Sequence, residues 1–311
     1  MTGAVHLLAE PGTLRPLLSP VAVKGTQTNV MSSSNLSEVE SYFKALAQKE
    51  DSDMDLAEAG FWLEKAFNDG LDPAECMGGL DRMVDRIRPL IEAAGDEQGR
   101  VYKLCFVLFQ EMGFRGNQAQ YYDPQNSYLR VVMERRLGIP ISLSILLLAM
   151  AKRLQLPLHG VGFPGHFLVR YDGGDSTFFI DAYHGGRFLG EVDCAEMLET
   201  MGGGQIPFDT ELLRPTTNRA ILLRLLRNLR GIHLSAGDNE QALVIVQLML
   251  TLNSDDWSSL RDRGIIYSNT GQLRLAFEDF KAYLEACPEA PEAMFIRSKL
   301  HEVRDKLFSI Q

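Results

Sequence analysis

The chain has 311 residues, 45% of them apolar and 23% charged, with a formal net charge of −10. That length allows two domains with sizeable cores, and the acidic balance argues against a general nucleic-acid binder, whose phosphate contacts need a surplus of Lys and Arg. Four scattered cysteines, Cys76, Cys105, Cys194 and Cys287, form no C-x-x-C pair and no zinc spacing, so free thiols in a reducing compartment are expected.

Residues 1–32 show no apolar periodicity and lack the basic and apolar regions of a signal peptide. They are expected to be a disordered tail, or residues upstream of a natural start, on a cytoplasmic protein. No membrane span is expected either. The most apolar run, Ile139 to Ala151, is broken by Ser142 and Ser144 and falls short of about 18–20 residues.

Ser37 with Glu40 and Asp55 with Glu58 have capping-box spacing. The second pair predicts a helix with Leu56, Ala59, Leu63, Ala66 and Phe67 on one face, closed by Gly70. Asp72-Pro73 opens the next, with Cys76, Leu80, Met83, Val84, Ile87 and Ile91 as its stripe. A third helix is expected from about Glu97 to Met112. A Gly-, Asn- and Tyr-rich loop to Ser127 and a short helix over Tyr128 to Leu137 follow. From Pro140 to about Leu154 the sequence is apolar almost all round, which predicts a helix buried on every side. Leu158 to Gly162, His166 to Tyr171 and Thr177 to Ala182 then read as strands. Helices, a central buried helix and an antiparallel sheet make an α+β fold over residues 33–212.

Residues 213–311 have a different period. Gly237 and Gly271, Ala242 and Ala276, and Ile232 and Ile266 are each 34 apart, the tetratricopeptide spacing. The second unit keeps Gly264, Tyr267, Gly271, Ala276, Phe280 and Pro288. The first has His233 in place of Tyr and Val246 in place of Phe. Pro291 to Gln311 can supply a capping helix. Such an array predicts a protein or peptide partner.

Asp172-Gly173-Gly174-Asp175 suits a two-residue hairpin turn. Paired residue numbers then sum to 347 (172 + 175), which sets His166 opposite Asp181 on one face, with Cβ atoms about 5 Å apart. A carboxylate there can hold an imidazole in one tautomer. A structural hydrogen bond at a strand end is the simpler alternative. Phe167, Val169, Tyr171, Phe178 and Ile180 fall on the other face and read as core. His159, His166, Asp181, His184 and Cys194 lie within 35 residues (194 − 159), but match no recognised zinc pattern, and no metal or cofactor is expected.

Asn126-Ser127-Tyr128-Leu129, Glu134-Arg135-Arg136-Leu137-Gly138-Ile139-Pro140-Ile141-Ser142-Leu143-Ser144 and Gly160 to Arg170, with its Pro164-Gly165-His166-Phe167-Leu168-Val169-Arg170 stretch, resemble the bacterial SirB-like family. The resemblance runs from about residue 35 to the end. It implies a papain/transglutaminase-like core joined to C-terminal tetratricopeptide repeats, and a regulatory role. One departure is Ala182, where the family tends to have Pro after Asp. In related active enzymes a Cys opens the buried helix and is activated by a His and an Asp from later strands. That Cys lies about fifteen residues before a helix-ending Gly, whose position Gln155 takes here. Counting back reaches Pro140 or Ile141, neither of them a nucleophile. Cys105 reads as core, and Cys194 is out of order. The nearest hydroxyls are Ser142 and Ser144.

The resemblance therefore points to a non-catalytic core, with His166, Asp181 and Ser142 as vestigial catalytic positions. A hydrolase or acyltransferase using Ser142 or Ser144 is the alternative. Asn126, Tyr128 and Arg136 in the shared motifs, Arg224 and Arg227 in a basic run that also holds Arg214, Arg219 and Arg230, and Tyr267 in the second repeat are the candidate binding residues. For the basic run, a solvated face paired with acidic neighbours competes with a groove for an acidic peptide.

Overall fold

A computed structural model describes residues 33–174, 176–202 and 206–309, so the expected N-terminal tail, Asp175 of the hairpin and Gly203 and Gly204 lie outside the described residues. The described residues open with α1 (Ser33–Ala47), α2 (Leu56–Lys65), α3 (Pro73–Glu92) and α4 (Glu97–Cys105), which continues through a π-helical segment over Phe106–Glu111. Asp55, Asp72 and Asp96 accept N–H bonds from the first turns of α2, α3 and α4, which satisfies donors that a helix start leaves free. Two boundaries differ from expectation. Ser37 lies inside α1, whose buried Val39, Phe43 and Leu46 continue one apolar stripe, so it caps nothing. Helix α2 ends at Lys65, because Asn68 takes the Gly70 N–H on its side chain and turns the chain there.

Two short strands, β1 (Arg115–Gly116) and β2 (Leu137–Gly138), pair in parallel around α5 (Leu129–Arg135) and lead into α6 (Pro140–Arg153). Helix α6 is buried on every side, as its all-apolar pattern predicts. Gln155, just beyond it, has φ 56°, the left-handed position that glycine ordinarily fills.

The sheet is antiparallel in the order β3 (Leu158–Val161), β4 (Leu168–Gly173), β5 (Ser176–Asp181), β6 (Arg187–Leu189). The β4–β5 register pairs Gly173 with Ser176 and Val169 with Ile180. Its sum is 349, not 347. Gly174 takes φ 53° at the tip, one residue further along than the turn read from sequence. A shift of two keeps every side chain on its expected face, but His166 falls before the strand, in a loop. Both faces of the sheet are buried. Val169, Tyr171 and Ile180 join the α6 core, while Leu168, Phe179 and Leu189 pack against Cys194 and Leu198 of α7 (Glu191–Gly202). Strand β6 and helix α7 carry signals too short or too weakly periodic to stand out in the sequence.

The repeats comprise α8 (Asn218–Ser235) with α9 (Asn239–Leu252), and α10 (Trp257–Asn269) with α11 (Leu273–Ala286); α12 (Ala293–Ser309) caps them. Gly237 and Gly271 occupy the same left-handed turn in successive units, at φ 75° and 78°. A Cβ on Gly264 would come within 2.7 Å of the Phe280 ring, so the small residue sets how closely α10 and α11 approach.

The first repeat does not stand apart. Ile221, Leu222, Leu225, Leu226 and Leu229 of α8 and Ile245, Leu248 and Met249 of α9 belong to the same apolar cluster as α1 to α6. Asp51 accepts from the N–H groups of Asn218 and Arg219, each at 2.8 Å, and so caps α8 from the N-terminal region. A chain ending at residue 212 is therefore expected to lose fixed packing. It should bind an apolar dye and lack a near-ultraviolet circular dichroism signal, whereas a cooperative thermal transition would contradict the shared core.

Candidate functional site

The site begins in the loop between β3 and β4. Turns at Phe163 and at the left-handed Gly165 (φ 68°) bring His166 against the end of β5. The Arg224 Nη2 of α8 donates to the carbonyls of Phe163 (2.8 Å) and His166 (2.6 Å), with the guanidinium 5.6 Å from the Phe167 ring centroid. A helix of the first repeat thus holds the loop that carries the imidazole.

His166 Nε2 lies 2.9 Å from Asp181 Oδ1. The pair predicted from sequence exists, though the loop and not a cross-strand register makes it. Oδ1 also accepts from the N–H groups of Tyr183 (3.1 Å) and His184 (3.2 Å), while Oδ2 faces His184 Nδ1 at 2.6 Å. An ionised carboxylate only accepts, so each imidazole nitrogen facing it carries its proton. Burial pushes the Asp181 carboxyl up, but bonds from both imidazoles outweigh that and hold it below its ordinary range. His166 and Asp181 are buried, and His184 is half exposed.

Aromatic rings frame the pair. Tyr183 meets His166 edge to face at 6.1 Å and Tyr121 at 6.0 Å. A Cβ on Gly116 would strike the Tyr183 ring at 2.4 Å, which explains a glycine in β1. The fully buried Asn126 amide donates to the carbonyls of Gln120 and Tyr121 and accepts from Asn117, fixing the tyrosine loop. Ser142 Oγ donates to the Asn126 carbonyl at 2.5 Å and accepts from Ile139 N–H at 3.0 Å. That hydroxyl closes the first turn of α6.

No hydrogen bond joins His166 to a hydroxyl or thiol among the described residues. Ser142 is engaged elsewhere, and Ser144 Oγ is buried without a partner. All four cysteines are free. Burial raises the thiol pKa of Cys76 to about 11 and of Cys194 to about 12, and pushes Cys105 up as well, which disfavours thiolate.

Comparison with known proteins fits this architecture. A family model described as Transglutaminase-like superfamily matches residues 74–227, and one described as Tetratricopeptide repeat matches residues 229–301. A UPF0162 protein of Xylella fastidiosa (strain Temecula1) is 39% identical over 64% of this chain and 72% of its own length. The chain belongs to the UPF0162 family. A UPF0162 protein of Vibrio cholerae is 29% identical over 80% of this chain and 92% of its own length. UPF0162 protein YchA of Escherichia coli K12 is 28% identical over 73% and 84%. No solved structure matches. The UPF0162 assignment joins the two folds in one chain, as the SirB-like motifs indicate.

The other candidate residues of this UPF0162 protein do not converge. Asn126 is fully buried, and Tyr128 nearly so, packed on Phe67; neither offers a surface to a ligand. Arg136 closes α5 at φ 58°, and its guanidinium makes no ion pair among the described residues. The basic run is largely engaged within the chain: exposed Arg214 pairs with Glu211, part-buried Arg219 bonds carbonyls of Ala47, Lys49 and Leu252, exposed Arg227 lies 3.7 Å from Asp256, and part-buried Arg230 pairs with Asp262. Tyr267 is buried under Arg263, itself bonded to Asp279. The residue that sequence reasoning left outside the pair is His184. Its signal was Asp181-x-x-His184 followed by Gly185-Gly186, an Asp-headed turn closed by two left-handed glycines.

The lowered Asp181 pKa sets a sign. Below its unfolded value of about 3.9, acid protonates the unfolded carboxyl first, so the stability contributed by Asp181 is full above about pH 5 and fades as pH falls. Asp181→Asn should cost about 1.5–3 kcal/mol at pH 7. Urea titrations from pH 7 down to pH 3 should show that gap narrowing, and a constant gap would contradict the ionised hub.

Proposed function

We propose that this protein is a non-catalytic transglutaminase-like protein that acts as a cytoplasmic protein-interaction or regulatory adaptor, with a partner protein or peptide engaged through the repeats. The observation that supports the non-catalytic reading is the mouth of α6. Pro140 and Ile141 stand where a papain-type thiol would open the helix, and the one hydroxyl in its first turn is tied to backbone on both sides. An imidazole oriented by a carboxylate has nothing to deprotonate there. The cytoplasmic reading rests on four free thiols; no helix among the described residues is long and apolar enough to cross a membrane.

The interaction reading rests on the repeats themselves and on where they leave apolar surface. Met294 and Phe295 open α12 in exposed positions, Phe308 lies near its end, and Leu275 is exposed on α11. Exposed side chains of that size are available for contact.

The rival reading, acyl transfer or hydrolysis by Ser142 or Ser144 with His166 and Asp181, draws its support from the intact 2.9 Å pair. Ser142→Ala separates the two. A structural hydroxyl predicts a loss of about 1–3 kcal/mol in urea denaturation, because Asn126 O and Ile139 N–H lose their partner. Turnover of activated esters should match the buffer rate in both forms. Ester turnover that both Ser142→Ala and His166→Ala abolish would establish the enzyme instead.

A further inference from the structure

We propose that His166, Asp181 and His184 form a binding site for one divalent transition-metal ion of the zinc class. Among the described residues these three side chains each offer a ligand atom, and the atoms lie within 4.8 Å of one another. Two of the separations are already short, 2.9 Å from His166 Nε2 to Oδ1 and 2.6 Å from His184 Nδ1 to Oδ2. Zinc takes nitrogen and oxygen ligands at about 2.0–2.2 Å, which puts tetrahedral ligand atoms about 3.3 Å apart. Reaching that spacing takes rotation of the two imidazoles, starting from ligand atoms that all lie within 4.8 Å of one another. Two imidazoles and one carboxylate favour zinc, cobalt or nickel over magnesium or calcium, which take oxygen.

The set is held before any ion arrives. Backbone N–H groups of Tyr183 and His184 fix Asp181, and Gly186 N–H closes the same turn on the Asp181 carbonyl at 2.9 Å. Gln110 donates to the Gly185 carbonyl at 3.1 Å. Arg224 fixes the backbone of His166. His184, half exposed, gives an ion its way in.

Proton balance permits the exchange. Each ring now donates to the carboxylate. Moving that proton to the far nitrogen, Nδ1 of His166 and Nε2 of His184, turns both lone pairs inward without releasing a proton, and the carboxylate supplies the negative charge. A protonated ring would release one proton on binding. No fourth side chain completes the set among the described residues, so water takes the remaining position, as in an open zinc site. The sequence hid this set because its spacing, fourteen residues and then two, resembles no zinc pattern, and because His159 and Cys194 were grouped with it. His159 is exposed on β3, and Cys194 is sealed under the sheet. The proposal stands whether or not the core is catalytic.

The test uses full-length protein stripped with a chelator, then titrated with Co2+ by visible absorption and with Zn2+ by calorimetry. One ion per chain is expected. His184→Ala should weaken binding at least tenfold, while His159→Ala binds as the wild type does. His184→Gln repeats the measurement if the alanine variant alters the circular dichroism spectrum. Absence of saturable binding, or equal affinity in the wild type and the His184 variants, overturns the site.

Discussion

A single buried carboxylate organises the site. Asp181 has no exposed surface, yet it is ionised, because two imidazoles and two backbone N–H groups point at its oxygens. Removing any of those donors leaves part of a charge unmet in a dry setting, which is costly. The constraint therefore runs outward: β5 must end where it does, the turn through Gly185 and Gly186 must close tightly, and the β3–β4 loop must deliver His166 from the opposite side. Tyr183 follows Asp181 by two residues and needs Gly116 to leave room for its ring. The geometry of a papain-type His–Asp pair is thus also part of how the turn after β5 is held.

The same logic binds the repeats to the core. Arg224 sits on the first repeat helix, but its donors satisfy carbonyls in the loop that carries His166. Arg219 does likewise for carbonyls after α1. Much of the basic run thus serves as fasteners within the chain, Arg219 and Arg224 meeting backbone oxygen and Arg230 a nearby acid, while Arg214 and Arg227 stay exposed. Because α8 and α9 complete the apolar core begun by α1 to α6, the first repeat and the loop that carries His166 belong to one packed unit. The second repeat and α12 hang beyond that shared core, around their own cluster of Tyr267, Phe280, Tyr283 and Ile296.

Much of this was legible in the residues. Asp55 and Asp72 announced their helices, the unbroken apolar run announced α6, and the 34-residue spacing announced the repeats. The hairpin reading paired His166 with Asp181, although the register it assumed is off by two. What escaped was set by tertiary contact. Two adjacent glycines at 173 and 174 allow a hairpin tip at either of two places, and only packing selects the register. Cys194 and Leu198 carry too little periodicity to reveal α7, although they bury a whole face of the sheet. Asn126 reads from its motif as a binding residue and Ser142 as a vestigial catalytic position, yet the two join one loop to the first turn of α6 out of reach of solvent. His184 was visible as a residue but not as a partner, since a turn and not a strand brings it to Asp181.

The central claim is that one ionised carboxylate takes a proton-bearing nitrogen from each of two imidazoles. Nitrogen-15 NMR of the metal-free protein, with histidine side chains labelled, tests it most directly. A proton is expected on Nε2 of His166 and on Nδ1 of His184, with both signals perturbed by Asp181→Asn. Finding His166 with its proton on Nδ1, or finding either ring indifferent to that substitution, would contradict it.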